Sequence, residues 1–281
     1  MVNLNGNTCE ESTPILTLSN RGLNYGDAVF ETLRYTAGKI FFWEDHYFRL
    51  MASMRILRME IPMNFTMEFL ESEIVKTIDA SGDKNESLRI KLLVWRKEGG
   101  KYTPQTRDID YAISIEKLAN PFYTIEDTSC EVELFKDHFV IADLLSTLKS
   151  TNRLVNILGS IYAQENGYAN CLLLNEKKQV IEALNGNIFL LKGNTVKTPP
   201  LSDGCLNGIT RKQLIEIIKT IPEFVFEETS ISPFELQKAD EIFVTNVISG
   251  IIPITKYRKK EFGNSFAKMI LPKLSLKGRM S

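Results

Sequence analysis

The sequence predicts a mixed α/β or α+β fold arranged in two segregated blocks. Strand-like and helix-like apolar patterns alternate along the whole chain. Residues 119–127, with an Asn120-Pro121 pair, interrupt that pattern between the last strand of one group and the first strand of the next, and so read as a linker. At 281 residues, the chain is long enough for two cores. The expected division is 1–118, a linker at 119–127, and 128–281, with Lys149 in the second block.

In chain order, residues 29–35 and 39–42 predict a hairpin around Gly38. Residues 44–57 place Tyr47, Leu50, Met51 and Met54 at helical spacing, and 65–80 do the same with Phe69, Ile74 and Ile78. A polar turn with Gly82 follows. Residues 88–96 (LRIKLLVWR) and 111–115 predict strands, separated by a loop with Gly99-Gly100 and Pro104. Beyond the linker, a strand starts at 130–135. Residues 154–165 carry Leu154, Ile157, Leu158 and Ile161 and end near Gly167, a helix with a glycine stop. Residues 171–175 with 179–183, and 187–191 with 195–198, predict two further hairpins. Residues 211–221 predict a helix with Leu214, Ile217, Ile218 and Ile221 apolar. There is no repeat and no low-complexity segment.

Composition narrows the function. Apolar residues make up 43% and charged residues 25%, ordinary for a soluble globular enzyme. The 34 Lys and Arg nearly balance the 35 Asp and Glu, so nothing global draws the chain to nucleic acid or to an anionic membrane. The basic run at 256–260 reads as a solvated edge or turn. Four cysteines without a C-x-x-C read as free thiols in a reducing cytoplasm. Two distant histidines, His46 and His138, argue against a His-rich zinc site and against Ser-His-Asp or Cys-His chemistry. The first residues show neither the basic nor the apolar region of a secretory signal, and no apolar run approaches the roughly 20 residues of a membrane span. The expectation is a cytoplasmic protein with a small-molecule substrate.

Four features could carry chemistry. Lys149 is the only charged residue between Asp143 and Arg153, set among Leu, Ser, Thr and Asn. A desolvated lysine there would be a nucleophilic amine of the Schiff-base kind; a solvated one would be a loop lysine. Asn207-Gly208-Ile209-Thr210 leads into a helix, where N–H groups and a hydroxyl either receive an anion or serve ordinary capping. Glu182 ends an apolar strand, as an exposed charge or as a buried one paired with a cation. Arg49 lies off the apolar stripe of its helix beside Ala52, Ser53 and Ile56, with room for an anion, or simply on the surface. An amine, a carboxylate, an arginine and a helix start together form the set that pyridoxal phosphate requires.

At this point the sequence resembles the class IV aminotransferases, the fold-type IV pyridoxal-phosphate enzymes. The resemblance spans about Arg21 to Pro253. It rests on RGLNYGDAVFETLR (21–34), EDHYFRL around Arg49, EALNGNIF from Glu182, VKTPP (196–200) and LNGITR (206–211). It implies a smaller N-terminal α/β domain, a larger C-terminal pseudo-barrel domain, pyridoxal 5'-phosphate as cofactor, and a homodimer. By resemblance, Lys149 forms the Schiff base and shuttles the Cα proton, and Glu182 pairs with the pyridine nitrogen. Arg49 with Ile209 and Thr210 holds the phosphate, and the segment with Asn246 and Val247 closes the cofactor and substrate pocket. A neighbouring subunit contributes Tyr25, and the loop carrying Tyr102 serves the substrate side. Leu184 departs from the family, which usually has a small residue there, and this bears on the shape of the substrate side.

Within the class, Lys149-Ser150-Thr151-Asn152-Arg153 resembles the K-x-x-N-R of aminodeoxychorismate lyases, with Arg153 where many branched-chain enzymes have Tyr. Thr245-Asn246-Val247 and Leu206-Asn207-Gly208-Ile209 lean the same way, as does Thr32, where a lyase threonine near the reacting carbon is expected. The motifs therefore point first to 4-amino-4-deoxychorismate lyase, which releases pyruvate and forms 4-aminobenzoate for folate synthesis. The alternatives are a branched-chain or D-amino-acid aminotransferase using 2-oxoglutarate and, more remotely, a non-catalytic ligand-binding relative.

Overall fold

The computed structural model describes residues 1–14, 16–126 and 128–281; Asp127, at the end of the expected linker, lies outside the described residues. The chain forms two compact units. The first holds Met1–Phe122, Lys149–Asn152 and Ser281; the second holds Tyr123–Leu148 and Arg153–Met280.

The first unit is built on a six-stranded antiparallel sheet. Its strands are β1 (Val2–Leu4), β2 (Asn7–Cys9), β3 (Ala28–Thr36), β4 (Lys39–Ile40), β5 (Leu88–Arg96) and β6 (Ile109–Lys117), in the order β2-β1-β6-β5-β3-β4. Its helices are α1 (Arg21–Tyr25), α2 (Trp43–Ile56) and α3 (Met67–Ser81). Period-two alternation decides which face is covered. Leu88, Ile90, Leu92 and Val94 of β5 join Val29 and Leu33 of β3 in one core with Leu50 and Met54 of α2 and Ile74 of α3. Burying each such side chain contributes about 1.5–3 kcal/mol. The other face carries Phe30 and Thr32 of β3 beside Leu93 and Lys91 of β5, their register partners. Helix α3 starts later than its apolar pattern because Thr66 caps it: the hydroxyl accepts the Phe69 amide at 3.2 Å.

Lys149–Asn152 belongs to this unit through its backbone. The Phe30 amide donates to the Lys149 carbonyl (2.8 Å), the Thr151 amide donates to the Ala28 carbonyl (3.1 Å), and Val29 bridges Ser150 antiparallel. Lys149–Asn152 thus clusters with Met1–Phe122 rather than with the residues on either side of it in sequence. So short a segment has no periodicity of its own; its place is set by partners far away in sequence.

The second unit is a branched ten-stranded sheet with four helices: α4 (Leu154–Glu165), α5 (Ile209–Lys219), α6 (Pro233–Leu236) and α7 (Ser265–Met280). Its main path runs through β7 (Glu131–Leu134), β8 (Asn170–Leu174), β9 (Val180–Ala183), β10 (Gly186–Lys192), β11 (Thr195–Thr198) and β12 (Val225–Glu228). Strands β7 and β8 are parallel, as are β11 and β12, and helices α4 and α5 make the two crossovers that parallel pairs require. Strand β10 changes partners along one edge, from β9 at Gly186–Asn187 to β11 at 190–192. Its other edge pairs with β13 (Glu241–Asn246), which pairs in turn with β14 (Gly250–Ile254). That fork gives the sheet the curled half-barrel form. The basic run at 256–260 spans the small hairpin of β15 (Lys256–Tyr257) and β16 (Lys260–Glu261). Among the described residues, no helix is long and apolar enough to cross a membrane.

The helix expected at 154–165 is α4, but its apolar stripe does not face a core. Leu154, Ile157, Leu158 and Ile161 are exposed, and Gly159 and Ala163 are the buried positions. Strand β13 had no alternation to reveal it, because all but its last residue are buried.

Candidate active site

In the first unit, the pairing of Val29 with Ser150 makes Lys149 the cross-strand neighbour of Phe30. The Lys149 Nζ lies 4.6 Å from the centre of the Phe30 ring. Thr32 follows two residues later on the same face and is buried. On the reverse face, Glu31 reaches α2. Arg49 Nε donates to Glu31 Oε1 (2.8 Å) and Arg49 Nη2 donates to Oε2, while His46 Nδ1 lies 2.7 Å from Oε2. Burial alone would raise the Glu31 carboxyl. The Arg49 guanidinium, helped by His46, more than offsets this and holds it at about 2, against an ordinary value of 4.5. Burial depresses His46 despite the Glu31 carboxylate, and the charges of Arg49 and Lys149 push the same way. A neutral imidazole beside a carboxylate must donate from Nδ1, since the carboxylate can only accept. Arg49 is therefore not a guanidinium flanked only by small residues. Its plane is fixed by a bidentate buried partner.

Tyr25 ends α1 under the Arg21 guanidinium (4.9 Å), and its ring is 5.8 Å from that of the almost fully exposed Tyr102. Arg21 also donates to the carbonyls of Gly99 (3.2 Å) and Lys101 (2.6 Å) and to Asp27 (3.0 Å). Arg96 donates to the same carboxylate at 2.9 Å. Asp27 thus fixes the two arginines, and Arg21 holds the loop that carries Tyr102.

In the second unit, Glu182 of β9 is 5% exposed, and its Oε2 accepts the Leu206 amide (2.9 Å). Asn187 of β10 donates to the Leu206 carbonyl (2.8 Å). A Cβ at Gly208 would lie 1.9 Å from Asn187 Oδ1, so a larger residue there would have to displace the Asn187 side chain that is bonded to Leu206. No side chain caps α5. Thr210, in its first turn, is 2% exposed, and its hydroxyl is buried without a partner. Asn246 Oδ1 accepts the amides of Ile248 (3.0 Å) and Ser249 (2.8 Å), and the Val247 carbonyl accepts the Tyr123 hydroxyl (2.7 Å). Leu184 packs toward α4, where a Cβ on Gly159 would lie 2.5 Å from its Cδ2. Asn156 of α4 donates to the Leu184 carbonyl (2.9 Å), and Arg153 donates back to the Leu148 carbonyl.

The first unit carries Lys149 and Thr32 on one face of its sheet, Arg49 with Glu31 on the other, and Tyr25 and Tyr102 as a separate ring pair. The second gathers Glu182, Ile209, Thr210, Asn246, Val247, Leu184 and Arg153, with Glu182 tied to the start of α5 through Leu206 and Asn187. Motif reading did not single out Glu31, Asn187 or Tyr123. For Glu31 a signal existed, a lone carboxylate inside the apolar strand VFETLRY, which calls for a buried cation.

The family model for amino-transferase class IV matches residues 28–257. The "Putative branched-chain-amino-acid aminotransferase" of Methanocaldococcus jannaschii is 29% identical over 274 residues, covering 98% of this chain and 93% of the relative. The aminodeoxychorismate lyase of Bacillus subtilis is 28% identical over 275 residues, covering 94% and 89%. Among solved structures, the branched-chain aminotransferase of Thermoproteus uzoniensis with norvaline superposes with a TM-score of 0.87 at 28% identity, covering 99% of this chain and 93% of that one. The matched span contains Lys149, Glu182, Arg49 and the start of α5, and on it the chain belongs to the class IV aminotransferase family.

Proposed function

We propose that this protein is a pyridoxal-phosphate-dependent aminotransferase acting on branched-chain amino acids. Class IV aminotransferases depend on this cofactor. The observation that carries the reading is the buried, unpartnered Thr210 hydroxyl at the uncapped start of α5, joined through Asn187 and Leu206 to the buried Glu182. A phosphate satisfies the hydroxyl and the free first N–H groups of the helix together. A carboxylate with one oxygen already held suits a protonated ring nitrogen. The residues present therefore fit the group.

When bound, pyridoxal phosphate supplies an aldehyde for an amine and a ring that accepts the electron pair left at the substrate Cα. In this reading Lys149 offers the amine and carries the proton at Cα. Glu182 keeps the ring nitrogen protonated. Arg49, the Ile209 and Thr210 amides and the Thr210 hydroxyl hold the phosphate, and Asn246 and Val247 border the cofactor. Tyr25, Tyr102, Arg153 and Leu184 shape the substrate side. The branched-chain assignment draws support from two relatives that each cover nearly the whole chain.

A lyase acting on 4-amino-4-deoxychorismate is the second reading, favoured by Thr32 on the same sheet face as Lys149. Asn152 and Arg153 count less toward it than their motif does. Asn152 donates to the Gly26 carbonyl (3.1 Å) and Arg153 to the Leu148 carbonyl, tasks that serve either reaction. We further propose a cytoplasmic homodimer. The exposed apolar side chains of α4, and those of Ile141, Leu144 and Leu145, are suited to burial against a second copy of the chain.

The purified protein with pyridoxal phosphate is expected to be yellow, with an absorption band abolished by borohydride and absent in Lys149→Ala. A wild type that stays colourless overturns the reading. Leucine turnover with 2-oxoglutarate, measured beside 4-aminobenzoate release from aminodeoxychorismate, decides between the two reactions.

A further inference from the structure

Strand β3 lies between two neighbours: β5 along one edge and the Lys149–Asn152 segment along the other. Phe30 is opposite Lys149 on one side and Leu93 on the other, and Thr32 is opposite Lys91. These positions take the sheet face away from α2 and α3. Two ammonium groups consequently reach the same ring. Lys149 Nζ is 4.6 Å and Lys91 Nζ is 5.2 Å from the centre of Phe30. The two nitrogens can therefore be no farther apart than about 10 Å, and like charges at that range repel. Between fully exposed groups salt would screen much of the repulsion, but half-buried groups beside an apolar ring are screened less.

Other cations of this unit near the site are matched by carboxylates. Arg49 is held by Glu31 on the reverse face, and Arg21 and Arg96 share Asp27. Arg89, on the same face of β5 as Lys91, pairs with Glu116 of β6. Asp110 of β6 accepts from Asn5 (2.9 Å). Lys91 is half-buried and, among the described residues, has no ion-pair partner. Its charge thus acts on Lys149 with no carboxylate of its own to cancel it. The Lys149 charge is in turn felt across the sheet, where it joins Arg49 in opposing protonation of the buried His46. The Phe30 ring attracts the Lys149 ammonium and so works the other way. That attraction is present whatever stands at position 91, so a change there reads the repulsion alone.

We propose that Lys91 disfavours the ammonium form of Lys149 by repulsion across the Phe30 ring, and so keeps the amine ready to react near neutral pH. The inference deepens the reading of Lys149 as the reacting amine and rests on it. An ordinary lysine holds its proton to about pH 10.4, and only the unprotonated amine attacks a carbonyl. A like charge nearby lowers that pH without requiring full burial of the amine. Lys91 touches no reacting atom in this scheme. It acts only through the charge on Lys149.

The test is a pH titration of the Lys149-dependent absorption band of the holoenzyme, whose position reports whether the Lys149 nitrogen carries a proton. In Lys91→Met the midpoint is expected to rise by about 0.5 pH unit or more, and in Lys91→Glu to rise further. In Lys91→Arg, which keeps the charge, it is expected to stay within about 0.2 of wild type. A merely structural role would not order the variants by charge. A rise below about 0.3 in Lys91→Met overturns the proposal, and so does a rise in Lys91→Arg as large as that in Lys91→Met. Lys91→Gln repeats the neutral comparison should Lys91→Met fail to fold. A wild type without the band sinks the cofactor reading. Competitive acetylation of Lys149 across the same pH range, followed by mass spectrometry, then gives the midpoints and decides the role of Lys91 separately. An intact band with unmoved midpoints sinks only the role of Lys91.

Discussion

Glu31 is a buried carboxylate whose environment departs far from that of a free side chain. Its carboxylate is buried, accepts two bonds from Arg49 and one from His46, and is held at about 2. A depressed carboxyl contributes stability that is complete above its unfolded value near 4.5 and is lost as pH falls through about 2. The size of that contribution is roughly 3 kcal/mol. His46 acts in the same direction. It is buried neutral, so acid below its ordinary 6.5 favours the unfolded chain, where the ring can charge. Urea midpoints measured from pH 7 down to pH 3 should therefore fall steadily. Glu31→Gln, which leaves the Arg49 charge buried without its carboxylate, should lower stability at pH 7 by about 3 kcal/mol and flatten the acid limb. An unchanged acid slope in this variant would show that another group controls it.

Two helices, α4 and α5, border the second unit's share of the site, and both depend on close approaches. Gly208 allows α5 to begin against Asn187, and Gly159 allows α4 to pass Leu184. Leu184 is the departure from the family pattern, and Gly159 explains how it is tolerated. The large side chain packs against the buried cluster around Phe135 on α4's side. Gly159→Ala alone should crowd Leu184 and destabilise by about 1–3 kcal/mol. Leu184→Ala should open space, and the double variant should recover part of the loss. A double-mutant cycle is expected to give a coupling of at least about 0.5 kcal/mol. Strict additivity in guanidinium titrations would mean that the two positions do not share this space.

At the scale of the molecule, the exposed stripe Leu154, Ile157, Leu158 and Ile161 is the feature that the chain alone leaves unresolved. A single-copy protein rarely leaves so many large apolar side chains in water on one helix. Ile157→Asp is expected to convert a dimer to a monomer in sedimentation equilibrium while preserving the far-ultraviolet circular dichroism of the fold. A wild type that sediments as a monomer would remove the dimer from the proposal.

The elements themselves were legible in the sequence wherever one face was buried and the other was not. Strand β5 and helix α4 have the bounds that their patterns predict, and the β8–β9 and β10–β11 hairpins follow from turn residues between apolar runs. Lys149, Glu182, Arg49 and Thr210 were also legible, because ordered motifs place them. The curled path of β10 and the strand β13, buried almost throughout, were not legible, since a run without alternation does not announce its partners. Nor was the joining of Lys149–Asn152 to β3, which is made of backbone hydrogen bonds indifferent to side-chain identity. Local periodicity by itself determined the class of the fold, and motif chemistry named the candidate residues for its chemistry. Only tertiary structure decided that Glu31 holds Arg49, that the stripe of α4 faces water, and that Lys91 shares the Phe30 ring with Lys149. Those facts depend on which strands and helices meet, and the energies that select such meetings act between residues far apart in the chain.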